Sequence, residues 1–204
     1  MKIRHIIQTL PLILFFSGCA STQQPQLYTL RVPSNIPSMD IHAEHMKNAL
    51  IIVERVRIPR RMDRPGIVTR ANEVELVYSE FQRWGEPLDD NFSDILSLDL
   101  TLLLPNSIIW RDNAASRMKA DYRVQVQVVR LIGKLGEEVE LIARWSIFAD
   151  KDSNLMKTAV SRYSAPLKDS SYNTYVTAVS ELVMKLSEEI AISFQNQPVP
   201  NEKR

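Results

Sequence analysis

The strongest constraint on this chain is a long run of strict alternation. Tyr122, Val124, Val126 and Val128 fall on one side of the segment that starts at Asp121, and Arg123, Gln125 and Gln127 fall on the other. After Gly133 to Gly136, Val139, Leu141, Ala143, Trp145 and Ile147 alternate against Glu140, Arg144 and Ser146. A period of two places each apolar set on one face of a strand, so the segment predicts a long antiparallel hairpin with one buried face. The adjacent Val128 and Val129 break the phase and predict a bulge. A third strand is expected near 154–163.

Two stretches change the period to 3.6. Leu88, Phe92, Ile95, Leu96 and Leu103 recur as one wide apolar face, which Leu98, Leu100 and Leu102 widen further. Gly85 and Pro87 stop the preceding strand, and Asp89 and Asp90 suit the positive end of a helix. A mostly buried helix is predicted over 88–104. The second stretch, 171–195, sets Tyr172, Tyr175, Val176, Val179, Leu182, Val183, Leu186 and Ile190 on one stripe, with Glu181, Lys185, Glu188 and Glu189 elsewhere. That is an amphipathic helix docking on a sheet.

Upstream, residues 27–32 (LYTLRV) alternate as a first strand, and PSNIPSMDIHAEHMKN reads as a loop. Residues 49–58 (ALIIVERVRI) are rich in β-branched side chains and predict a strand partly buried on both faces. Pro59 and the RPG at 64–66 break it, and GIVTR with EVELVYS predicts a short hairpin turned at Ala71-Asn72. The order strands, helix, strands, helix predicts the α/β (α+β) class: a single mixed, largely antiparallel sheet covered by two main helices.

The first residues obey different rules. Lys2, Arg4 and His5 head an apolar run from Ile6 to Phe16, too short to span a bilayer core. A basic head, a short apolar body and small residues at its end predict a secretory signal over 1–18. Phe16-Ser17-Gly18-Cys19 resembles a bacterial lipobox, with Phe16 in place of the usual Leu. Cys19 is the one cysteine of the chain, and an exposed lone thiol would be a liability in an oxidising compartment. The expected modification is a diacylglycerol on its thiol and an acyl chain such as palmitate on its amino group. Each buried methylene contributes about 0.8 kcal/mol, so two or three chains hold stably. Ala20 and Ser21 follow without an Asp, which resembles the pattern sent to the outer membrane of a Gram-negative bacterium. Residues 19–26 then form a lipidated tether, 27–195 one domain facing the periplasm, and 196–204 a flexible polar tail.

Composition excludes more than it suggests. The 204 residues are 45% hydrophobic and 24% charged with a net charge of +1, which fits one globular domain with tails and calls for no nucleic acid. Removing 1–18 takes Lys2 and Arg4 but no acid, so charge alone would not hold the mature domain to a membrane. His42 and His45 are spaced for a metal but lack a second ligand cluster, and HExxH, GxSxG and Walker patterns are absent. Asp89-Asp90, Glu137-Glu138 and Glu188-Glu189 read as solvated acids rather than a catalytic pair. The expectation is therefore no enzyme, no catalytic residue, no metal and no cofactor beyond the lipid on Cys19.

One charged stretch stands apart. ERVRIPRRMDRPGIVTR holds Arg55, Arg57, Arg60, Arg61, Arg64 and Arg70, six guanidinium groups in seventeen residues. Such a cluster could grip lipid phosphate or an acidic partner bidentately, or it could simply keep an edge strand soluble and unpaired. Trp84 is either a packing anchor between helix and sheet or a contact residue for another subunit. Trp145 reads as core.

These residues, in this order, resemble a known family. LYTL soon after a lipidated Cys, then IIVERVRIP, RPGIVTR, the aromatic pair Phe81 and Trp84, and EPLDDNFSDILSLDLTLLLP are similar to the PqiC-type auxiliary lipoproteins of ABC-type and MCE transport systems. The resemblance runs over about 27–192, with Pro59 to Leu104 its most specific part. It implies a non-enzymatic protein on the periplasmic side of the outer membrane that docks an MCE-domain tunnel protein and receives phospholipid. A ring-shaped partner further implies a homo-oligomer. Two other readings are a carrier domain that itself encloses an acyl chain, which the dense aliphatic helix at 88–104 argues against, and a hydrolase, for which a nucleophile–base pair is missing.

Overall fold

The computed structural model describes residues 23–34, 36, 46–112, 119–149 and 154–195. In chain order the elements are β1 (Gln26–Tyr28), β2 (Leu50–Val53), β3 (Gly66–Arg70), β4 (Leu76–Trp84), α1 (Leu88–Leu103), β5 (Ile108–Arg111), β6 (Tyr122–Lys134), β7 (Glu138–Ala149), β8 (Asn154–Pro166) and α2 (Tyr172–Gln195). The predicted signal segment, Cys19, the loop histidines and the tail 196–204 lie outside the described residues.

The alternating segment forms the expected hairpin. β6 and β7 pair antiparallel from Tyr122–Ala149 to Lys134–Glu138, and β8 adds to β7. The register shifts between Val128 and Arg130, so the bulge sits where the two adjacent valines broke the phase. The turn is closed by Gly136 at φ 78°, a left-handed conformation that costs glycine little. Tyr122, Val124, Val126, Val128, Val139, Leu141, Ala143, Trp145 and Ile147 are all buried.

Both helices cover that face. α1 lies against β2 and β5, α2 against β7 and β8, and the two pack on each other. Leu96, Leu100, Leu182, Val183, Leu186 and Ile190 have no exposed surface, so the space under the sheet is filled by side chains. Two helix residues expected to widen the apolar stripe do not: Leu98 and Leu102 face solvent. Their positions are about 200° and 240° around the helix from the fully buried Leu96, outside the packed face.

The α+β class and the two helices are as expected, but the sheet is not single. β5-β2-β6-β7-β8 make one sheet and β1-β4-β3 another. The division arises where the chain leaves β2. The Val56 amide donates to Ser93 Oγ of α1 at 2.9 Å instead of to a neighbouring strand. Strand-like pairing returns once, at Arg57 beside Gln127, and then Pro59 and Pro65, which lack an amide hydrogen, let the chain turn away. The next hairpin, β3–β4, therefore starts a sheet of its own. Gly66 enters it so closely that a Cβ there would lie 2.2 Å from the Ser79 carbonyl oxygen.

Two boundaries and one strand also differ. The predicted strand 49–58 ends at Val53 for the reason just given. The first strand stops at Tyr28 because its next amides are taken by helix side chains: Leu30 donates to Asn91 Oδ1 at 2.7 Å and Arg31 to Ser180 Oγ at 3.2 Å. β5 is a strand the sequence reading did not anticipate, added parallel to β2 at the sheet edge.

Candidate docking surface

The arginine-rich segment is the connection from β2 to β3, and the fold sorts its guanidinium groups into committed and uncommitted ones. Arg55 Nη2 lies 2.8 Å from Asp89 Oδ2 and 3.3 Å from Asp90 Oδ2. The Asp89 hydrogen bond first, then the charges of Asp89 and Asp90, raise the Arg55 guanidinium above its ordinary value. Arg111 at the end of β5 holds Asp90 from the other side and reaches Asp94 at 2.6 Å. No side chain caps α1, whose N-cap is Pro87. The acids of its first turn do that work electrostatically and tie it to both parallel strands. Arg55 is thus a strut of the fold. Solvent screens such a pair, so its own contribution to stability is at most about 1 kcal/mol.

Arg61 Nη2 donates to the carbonyl of the bulge residue Val129 at 3.3 Å. Arg64 lays its guanidinium 4.9 Å from the centre of the Tyr78 ring. Arg70 stands 3.9 Å from Glu73 and 3.7 Å from Glu138. Arg57 and Arg60 are exposed, and among the described residues neither has a salt bridge or a side-chain hydrogen bond.

Two concavities flank this connection and share Asp63. A polar groove of about 640 Å³ is lined by Arg55, Arg57, Asp63, Asp89 and Asp112, among others. A more apolar pocket of about 350 Å³ is walled by Arg64, Pro65, Trp84, Pro87 and Leu88, with Asp63 and Glu86. Arg64 and Trp84, twenty residues apart, thereby meet in one pocket. Trp84 itself is buried within the core cluster beside Leu88, and its amide donates to the Pro65 carbonyl at 2.8 Å. It serves as packing anchor and pocket wall at once.

One residue that holds this region together escaped sequence reasoning. Asn91 is buried, accepts from the Leu30 amide, and donates through Nδ2 to Glu86 Oε1 at 2.7 Å and Thr29 Oγ1 at 3.1 Å. It fixes the incoming N-terminal strand against α1 beneath the pocket. Its signal was available: an amide between Leu88 and Phe92 on an otherwise apolar face. Asp99 is a second such residue. Its Oδ2 accepts from Ser187 Oγ of α2 at 3.0 Å, Oδ1 has no partner, and burial pushes the carboxyl up to about 7, with Ser187 opposing and Glu188 adding.

Among the described residues, no group of three or more His, Cys, Asp and Glu side chains could hold a metal ion, and no helix is long and apolar enough to cross a membrane. The surface offers an uncommitted cation, Arg57, in a polar groove that shares Asp63 with an apolar pocket, an arrangement suited to binding another macromolecule.

No curated protein matches the sequence. Solved structures that share the fold include an uncharacterised protein at 19% identity with TM-score 0.67 and a Xanthomonas campestris protein of the DUF330 family at 15% identity with TM-score 0.65. Each alignment covers 83% of this chain and 97% of the other. The sequence matches the family described as ABC-type transport auxiliary lipoprotein component over residues 28–191, from the end of β1 to the last turns of α2. The chain belongs to that family of ABC-type transport auxiliary lipoproteins.

Proposed function

We propose that this protein is a non-enzymatic docking component of an MCE/ABC-type trans-envelope phospholipid transport system, held on the periplasmic side of the outer membrane by acyl chains on Cys19. The observation that carries the reading is the family match, which spans nearly the whole folded domain. The lipobox-like Phe16-Ser17-Gly18-Cys19 supplies the anchor, and the connection that carries the uncommitted Arg57 and Arg60, with Arg57 lining the polar groove that shares Asp63 with the Trp84 pocket, supplies a surface for an MCE-domain tunnel protein. The filled interior under the five-stranded sheet favours docking over enclosure of an acyl chain by the domain itself. Self-association to match a ring-shaped partner is part of the same reading.

The test is fractionation of the native host followed by mild cross-linking and affinity capture. The protein is expected in the outer-membrane fraction, with Cys19 acylated by intact mass, and in company with an MCE-domain protein. Capture of peptidoglycan or of a protein-assembly complex alone would reject the proposal. Native mass of the captured protein reads its copy number.

A further inference from the structure

We infer that the β3–β4 hairpin is the part of the domain that rests on the anchoring bilayer, its tip seated among zwitterionic phospholipid headgroups. The inference depends on the acylation of Cys19 proposed above and adds an orientation to it.

The direction of approach comes from the small sheet. β1 runs parallel to β4, with Gln26 beside Gln82 and Tyr28 beside Trp84. The chain arriving at Gln26 therefore comes from the end of β4 where Leu76 and the hairpin loop lie. Chain length sets the scale. Seven steps separate Cys19 from Gln26, at most about 24 Å. On β3, Arg70 stands opposite Leu76 and Gly66 opposite Arg83, so the loop lies only about 15 Å beyond Gln26. A fully drawn tether running that way passes the tip by roughly 10 Å. It cannot hold the hairpin far from the membrane.

The hairpin is made for such a contact. Val74 at its tip is 93% exposed, and Leu76, Val77 and Tyr78 follow it into solvent; Leu27, at the root of the tether, is 66% exposed. The amides of Val74 and Glu75 both donate to Asn72 Oδ1 at 3.0 Å, and the Ala71 amide donates to the Glu75 carbonyl, so these donors are satisfied within the loop. The β6–β7 turn lies at the same end, as the Arg70–Glu138 contact shows, but Leu135 there is partly buried against the core. The charges choose the lipid. Glu73 and Glu75 outnumber Arg70 at the tip, so it gains nothing from an anionic surface. The acyl chains hold the protein; the hairpin orients it, and the Trp84 pocket at the other end of β4 is turned from the bilayer.

The test uses the full acylated chain carrying a nitroxide at Val74→Cys or, as control, at Asn154→Cys, which pairs with Ala149 about 35 Å down β7 from Glu138. In phosphatidylethanolamine-rich vesicles, collisions of the position-74 label with a water-soluble nickel relaxant should fall severalfold relative to detergent, with position 154 unchanged. Replacing part of that lipid with phosphatidylglycerol should weaken the protection. Equal exposure at both positions with Cys19 acylated would overturn this inference alone. So would stronger protection on the anionic vesicles, or label–label broadening at 74 that is the same in detergent, which would make the occupant a second copy. A bare Cys19 by intact mass would remove the anchor and this inference together.

Discussion

β7 in the large sheet and β4 in the small one are both interior strands, yet they meet water differently. β7 buries every second residue from Val139 to Ile147 under α2, whereas β4 leaves Leu76, Val77, Tyr78 and Phe81 exposed. Two helices close one face of the five-stranded sheet into a filled core. The three-stranded sheet has no helix of its own and touches the rest mainly through β3, whose Ile67, Val68 and Thr69 are buried. Apolar side chains kept in water on an interior strand do little for stability. They make sense as a contact surface. The difference separates a supporting half of the molecule from a working half, with the 54–65 connection on the boundary.

The largest expected effect tests the supporting half. Trp145 is fully buried and its Nε1–H donates to Ser161 Oγ at 2.9 Å, so Trp145→Ala should cost about 3–5 kcal/mol in urea unfolding. Tyr78→Ala should cost no more than about 1 kcal/mol. Equal losses would break the contrast between the sheets.

A smaller effect concerns the helix seam. Asp99 titrates near 7 in the folded chain and near 3.8 in the unfolded one. Between those values the native state holds a proton that the unfolded chain has released. The stability this gives is full below about pH 4 and lost as pH rises to about 7, on the order of 4 kcal/mol. Asp99→Asn should flatten that decline in melts between pH 5 and 8, and an undiminished slope would assign the titration to another group.

The smallest stability change belongs to the 54–65 connection on the boundary between the halves. Arg57→Glu with Arg60→Glu should move unfolding by no more than about 0.5 kcal/mol, since neither side chain is paired among the described residues. Partner capture should nonetheless fall about tenfold or more. A stability loss well above that bound, with capture unchanged, would make these arginines structural rather than docking residues.

How much of this was legible in the sequence depended on the range of the interaction. The β6–β7 hairpin, its bulge at Val128-Val129 and both helices follow from local periodicity, and they emerged nearly to the residue. The division into two sheets hangs on Ser93 taking the Val56 amide, thirty-seven positions away, and no local pattern carries that. β5 is four residues long after Pro105, too short for alternation to register. At the candidate surface the arginines were visible as a cluster. Which of them were committed was not, because Asp89, Asp90 and the Val129 carbonyl reach them only through the fold. Asn91 and Asp99 were visible as polar interruptions of an apolar helix face, but their partners were not.

The most direct test of the central claim is site-specific photo-cross-linking in the native host from two exposed positions, Arg57 beside the polar groove and Val160 on the outer strand β8. The account predicts an adduct with an MCE-domain protein from position 57 and none from position 160. An adduct from 160 with none from 57 would contradict it.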